Sequence, residues 1–240
     1  MKSAVSRINL AVYILIRIVI IAGGIRALTE GHIYTAFQCL LSLFLYMLPS
    51  ILNRRFSIEL PDPLELAVIL FIFASTFLGE VYDYYEQFPL WDSLLHASSG
   101  FLSAAIGFSM IDILNRSERV KFSLSPGFAA LFAFCFSMTI GAFWEFYEFG
   151  MDMIFHTDMQ KDTLVHTIHS TLLDERVTVG IVTLGGQQLN GWLDIGLIDT
   201  MKDLLVNAAG AAVFSIFGWL YVKNREAGWI EHLLLRRKKM

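Results

Sequence analysis

Only two cysteines occur among 240 residues, Cys39 and Cys135, each inside an apolar run and in no Cys-x-x-Cys spacing. That excludes a disulfide framework and a thiolate metal cluster, and leaves a small buried hydrophobe as the expected role of both. Proline is nearly as scarce. The five prolines, Pro49, Pro61, Pro63, Pro89 and Pro126, fall between apolar stretches or near their ends, so none breaks a helix from within. Basic residues are not in surplus, because 18 Lys and Arg face 22 Asp and Glu for a net charge of -4. Nucleic acid is therefore not an implied partner. The chain also lacks a phosphate-binding glycine loop, a His-Glu-x-x-His helix and a nucleophile motif, which leaves a bound metal ion as the one enzymatic route. No internal repeat, low-complexity tract or separate soluble domain is present. Lys2 and Arg7 precede the first apolar run as in a secretory signal, but Arg17 interrupts that run and no small-x-small cleavage site follows. A retained first span is expected.

What is abundant is apolar surface. The chain is 55% hydrophobic with 20 Phe, and its mean hydropathy is +0.57. These values specify an all-α, polytopic membrane protein. Six stretches are long enough to cross a hydrocarbon core of about 30 Å: residues 8–28, 33–52, 64–82, 91–114, 127–149 and 197–222. Thirteen of the 18 basic residues fall in the N-terminus, the second-to-third loop, the fourth-to-fifth loop and the tail, whereas the alternate loops hold only Lys161 and Arg176, with Arg26 at one edge. Lys and Arg are retained on the cytoplasmic side, so both termini are expected there, in a multi-pass protein of the bacterial inner membrane. The connection 156–196 is then extracytoplasmic. Its first half places Asp162, His166 and His169 on one face of an interfacial helix, and its second half, around Gly185-Gly186, reads as a short hairpin or lid. The tail 224–240 is amphipathic and basic, which suits a helix lying on anionic lipid.

Acidic residues mark the outer ends of spans three to six. Asp92 and His96 open the fourth span one turn apart; such a pair can bind a divalent metal, orient a base or pass a proton. Glu145, Glu148 and Asp152 lie at i, i+3 and i+7 near the end of the fifth, where three ionised carboxylates repel unless a cation, a basic side chain or protonation relieves them. Asp199, Asp203 and Asn207 form a stripe at i, i+4 and i+8 on the sixth, with Lys202 beside it to neutralise an acid or meet a phosphate. Gly210 and its neighbouring alanines would let another backbone approach closely. Carboxylates inside apolar segments are costly enough that a functional site is the default reading. The lone Arg17 either snorkels or pairs with a distant acid, and the tyrosines and tryptophans near Tyr82, Trp91 and Trp192 form an interfacial belt.

With these motifs the chain resembles the YjdF-like family of bacterial inner-membrane proteins and, more distantly, the VanZ-like family. The resemblance rests on Asp92-x3-His96, the Glu145/Glu148 pair and Asp199-x3-Asp203-x3-Asn207-x2-Gly210, and covers about Leu64 to Tyr221, with the first two spans generic. VanZ-like proteins typically carry Glu-x-x-Gln where this chain has Glu145-Phe-Tyr-Glu148. Their link to glycopeptide-antibiotic tolerance implies work at the outer membrane face. The reading favoured by the residues is a divalent cation held by Asp92, His96, Glu145, Glu148, Asp199 and Asp203 and acting on a lipid or lipid-linked phosphate. In it His96, Glu145 and Asp203 are catalytic, and Lys202, Asn207 and Trp144 contact substrate. A proton- or cation-coupled transporter or channel, and a non-catalytic binder of an envelope lipid or antibiotic, are the alternatives. The expected partners are membrane lipids, with a homo-oligomer left open.

Overall fold

A computed structural model describes residues 4–47, 51, 58–115, 124–173, 175–224 and 228–237. Its main elements are seven α-helices and eight short strands: α1 (Ala4–Glu30), α2 (Ile33–Leu45), β1 (Ile58–Glu59), α3 (Asp62–Ile72) continuing as a π-helical segment (Phe73–Val81), α4 (Tyr84–Gln87), α5 (Trp91–Asn115), α6 (Pro126–Phe155), β2 (Thr163–Val165), β3 (Thr167–Ser170), β4 (Glu175–Thr178), β5 (Ile181–Leu184), β6 (Gln187–Asn190), β7 (Trp192–Asp194), α7 (Leu197–Asn224) and β8 (Arg236–Arg237). Five helices are long and apolar enough to cross a membrane, beginning at Asn9, Asp62, Trp91, Pro126 and Leu197. The expected second span is a shorter described helix of 13 residues. The chain divides into two compact units, Met1–Thr139 with Val206–Met240, and Ile140–Leu205.

In the first unit α1 turns through Gly31, at φ 79°, into α2. Every fourth residue of α2 is polar or aromatic-polar, and these form a buried seam. Gln38 Nε2 donates to Tyr34 OH at 2.7 Å, and Tyr34 OH donates to Glu80 Oε2 at 2.8 Å. Ser42 Oγ donates to Thr76 Oγ1 at 2.6 Å, and Tyr46 OH to the Ile69 carbonyl at 2.9 Å. The first two spans are thus not generic. Their seam faces the π-helical segment, whose wider register leaves carbonyls to be satisfied from elsewhere. Thr76 Oγ1 and Ser75 Oγ both donate to the Ile72 carbonyl, at 2.7 and 3.3 Å. Cys39 is buried here as expected, but Cys135 is exposed on α6, where an apolar environment can equally be lipid.

The other half of this unit is built on a close helix crossing. A Cβ on Gly100 of α5 would lie 2.1 Å from the Asn207 carbonyl oxygen of α7, and a Cβ on Gly210 would lie 2.0 Å from the Ala97 carbonyl oxygen. Small residues permit this backbone approach, the usual way helices adhere in lipid. Farther along, the Phe108 ring lies against Gly218, so the two helices run the same way. Phe101, Phe108 and Phe214 make edge-to-face contacts around the crossing. Beyond α7 the described segment 228–237 is not the helix expected of the tail. It forms a 3-10 turn (Gly228–His232) and then β8, which pairs antiparallel with β1. Ile230, Leu234 and Leu235 are buried, and the Leu235 amide donates to Ser109 Oγ at 3.0 Å. Adjacent side chains diverge by about 100° on a helix and alternate faces on a straight strand; the bend at Leu234 breaks both registers where Leu234 and Leu235 enter the core.

The second unit holds the end of α6, the start of α7 and three two-stranded antiparallel ribbons, β2–β7, β3–β4 and β5–β6. The hairpin expected at Gly185-Gly186 is present, with both glycines at positive φ, 56° and 85°. The helix expected over Asp162, His166 and His169 is not. That stretch is β2 and β3, with His169 paired across to Arg176. Thr163, Val165, Thr167 and Ile168 are β-branched, and this density outweighs the coincidental i, i+4, i+7 spacing of the polar residues. The fold is therefore mostly helical with a small β region.

Candidate functional site

Helix α5 opens just after Pro89-Leu90, and its first turns carry Asp92 and His96 on one face. His96 Nε2 lies 3.4 Å from Asp92 Oδ1, with the imidazole nearly buried. One turn further, Gly100 meets α7 and α6 together. Ser137 Oγ of α6 donates to the Gly100 carbonyl at 2.9 Å, while Asn207 Nδ2, on a residue 1% exposed, points at the Ser137 carbonyl and Met138 Sδ at 3.5 and 3.6 Å. Asn207, expected to contact substrate, is thus a buried tie between α7 and α6. These contacts form a polar node where three helices meet.

In the second unit the acids of α6 divide into two kinds. Glu145 and Glu148 are buried, 4% and 7% exposed. Glu148 Oε1 accepts a 2.7 Å hydrogen bond from Trp144 Nε1, so Trp144, expected at the substrate, supports a carboxylate one turn away. Asp152 behaves differently. Its Oδ1 accepts from Thr157 Oγ1 and the Met159 amide, both at 2.7 Å, and its Oδ2 accepts from the Gln160 amide at 2.8 Å. Three donors on one carboxylate make it the cap of the turn that follows α6, where His156 takes φ 56°.

The start of α7 shows the same division. Asp194 Oδ2 accepts from the Ile198 amide at 2.8 Å and caps the helix, a role that its place four residues before Ile198 signals and that sequence reasoning passed over. Asp199 Oδ2 accepts from the Lys161 amide at 2.9 Å, and Gln160 Nε2 donates to Thr200 Oγ1. Segment 157–161 is therefore a strap bound to Asp152 at one edge and to Asp199 at the other. Asp203 is 1% exposed. Lys202 Nζ stands 3.9 Å from both Asp199 Oδ1 and Asp203 Oδ1 while its side chain stays 47% exposed, so it tempers two acids and still offers a positive group outward.

Five membrane-length helices with buried carboxylates define a multi-pass membrane protein. The chain belongs to the family described as Predicted membrane protein (DUF2238), which matches residues 8–224; this is the YjdF-like family its motifs resemble. An uncharacterized protein of Thermotoga maritima is 30% identical over 96 residues, covering 40% of this chain and 47% of that relative. The chain spans about half the length of that curated relative. No solved structure matches.

Proposed function

We propose that the acid-bearing faces of α5, α6 and α7 together hold a divalent cation and act on a lipid or lipid-linked phosphate at the outer face of the bacterial inner membrane. The node at Gly100, Ser137 and Asn207 carries this reading. Residues three or four apart share a helix face, so each face that meets at the node continues outward as a stripe of ligands: His96 and Asp92 on α5, Asp203 and Asp199 on α7, and, two turns along α6, Glu145 and Glu148. Asp92, His96 and Asp203 each offer one ligand atom suited to such an ion. Imidazole with carboxylates fits zinc, manganese or magnesium better than a soft metal. Asp199 is partly spent on the strap, which makes it the weaker ligand, and both oxygens of Asp152 are spent on it.

The cation would neutralise phosphate charge and lower the pKa of a bound water. A glutamate left out of the coordination would take that proton, and the outward Lys202 would meet the phosphate. Elemental analysis of detergent-purified protein tests this directly. About one divalent ion per chain, lost on His96→Ala and on Asp203→Asn while both variants stay monodisperse, is the expected result. Protein free of metal and indifferent to chelators would overturn it and leave a relay or a binder.

A further inference from the structure

We propose that Arg17 is the protein half of a second site, which binds the phosphate of an anionic phospholipid from the leaflet at the N-terminal end of α1. The guanidinium lies over the ring of Tyr13, 4.1 Å from its centroid, and Nη2 donates to the Tyr13 hydroxyl. Tyr13 is itself fixed, since its hydroxyl donates to the Tyr46 carbonyl at 2.7 Å and its ring stands edge-on to that of Tyr46. Arg17 Nε is buried and has no hydrogen-bond partner. Among the described residues no carboxylate pairs with Arg17. A guanidinium carries five N–H donors and cannot be deprotonated in proteins, so a full charge stands inside an apolar span with only a phenol for company. Ionisable groups there mark binding or transport by default, and the natural complement of a forked donor is a phosphate or carboxylate.

The surroundings select the source. Ile14, Leu15, Ile18 and Ile21 are 46% to 62% exposed, so this part of α1 faces lipid and a ligand arrives through the bilayer. Tyr13 is one turn nearer the N-terminus than Arg17 and draws the guanidinium that way. The helix rises about 12 Å from Asn9 to Arg17. A long side chain lying back toward the interface recovers roughly half of that depth, and local thinning of the bilayer closes the remainder. The arrangement is independent of the acid stripes and would stand if the metal site failed.

The test uses the full-length chain, delipidated in mild detergent, and counts adducts by native mass spectrometry during titration. The ligands are dioleoyl phosphatidylglycerol, dioleoyl phosphatidylcholine and inorganic phosphate. Wild type should retain one phosphatidylglycerol in preference to phosphatidylcholine, and Arg17→Gln should weaken that binding on the order of tenfold, the worth of one charge-assisted pair. Arg17→Lys keeps the charge but loses the fork and should fall between them. If Arg17→Gln fails to fold, Tyr13→Phe, which frees the guanidinium without removing it, should itself reduce phosphatidylglycerol retention. Equal binding by wild type and Arg17→Gln, or by wild type and Tyr13→Phe where that variant is the one that folds, would overturn the proposal. So would equal retention of the two lipids, or saturation by inorganic phosphate alone, which would assign the group to any soluble anion.

Discussion

Gly100→Ala and Gly210→Ala test the node most sharply, because the structure gives the size of the insult. The added Cβ would sit 2.1 Å from the Asn207 carbonyl oxygen in the first case and 2.0 Å from the Ala97 oxygen in the second, and real Cβ atoms essentially never approach below 3.0 Å. Each substitution must therefore open the crossing by about 1 Å, and both obstacles are backbone, which cannot rotate aside as a side chain can. Overpacking of this kind typically costs about 1–3 kcal/mol. For a chain of this length that corresponds to a fall of roughly 2–12 °C in melting temperature. Gly150→Ala on α6 is the control: nothing lies within 4 Å of its added Cβ, and alanine favours a helix over glycine by about 1 kcal/mol. The assay is thermal unfolding in detergent followed by thiol-reactive dye, with Cys135 replaced. Bound metal is measured in parallel, since a 1 Å spread at the node exceeds the tolerance of a coordination sphere. Melting points for Gly100→Ala and Gly210→Ala within a degree of wild type would refute the close crossing and the ligand geometry inferred from it.

Chelation should lower the melting temperature of the parent protein, and Glu148→Gln, which keeps volume but removes charge, should abolish that response; a parent indifferent to chelator with no metal by elemental analysis would sink the cation reading. Asp152→Ala removes an acceptor shared by three donors. Since one bond to a charged group contributes about 1.5–3 kcal/mol, the amides of Met159 and Gln160 should exchange hydrogen on the order of 10–100 times faster, with metal content unchanged; protection equal to wild type would show that the strap holds without it. Once Cys39 and Cys135 are replaced, a cysteine at Gln187 should label in intact cells and one at Arg119 should not. The reverse pattern would invert the topology and place the site on the cytoplasmic face.

The parts of the fold legible in the sequence are those governed by long periodic runs. Proline placement and apolar length gave the starts of the spans at Asp62, Trp91, Pro126 and Leu197 to within two residues, because crossing a hydrocarbon layer leaves the chain little choice but helix. The acids at helical spacing were legible for the same reason, and Glu145, Glu148 and Asp203 are buried. The ribbons were missed where a helical spacing of Asp162, His166 and His169 coincided with β-branched neighbours. Local propensity was the better guide there. The roles of Asp152 and Asp199 were illegible, because what they bind is the backbone of a segment brought to them only in three dimensions. The seam of Tyr34, Gln38, Ser42 and Tyr46 has perfect four-residue spacing and could have been found, but neutral side chains in an apolar run raise no electrostatic alarm. The π-helical register of Phe73–Val81 leaves no mark in residue order beyond the hydroxyls of Ser75 and Thr76, which satisfy the carbonyl it exposes.

Two helices whose backbones touch at a point cannot slide past each other, since a shift of one residue would drive a side chain into a carbonyl. Helices α5 and α7 are left one soft motion, rotation about the contact at Gly100 and Gly210, like blades on a pin. Ten residues separate Asn207 from Leu197, a lever of about 15 Å, so a turn of roughly 5° carries that end of α7 through about 1.3 Å. On such a pin the opposite angles are equal, so whatever narrows the crossing on one side of the contact narrows it on the other, and the first contact to feel it is the Phe108 ring against Gly218. A change of angle on one side of the contact is thereby delivered, with its sign kept, to the other.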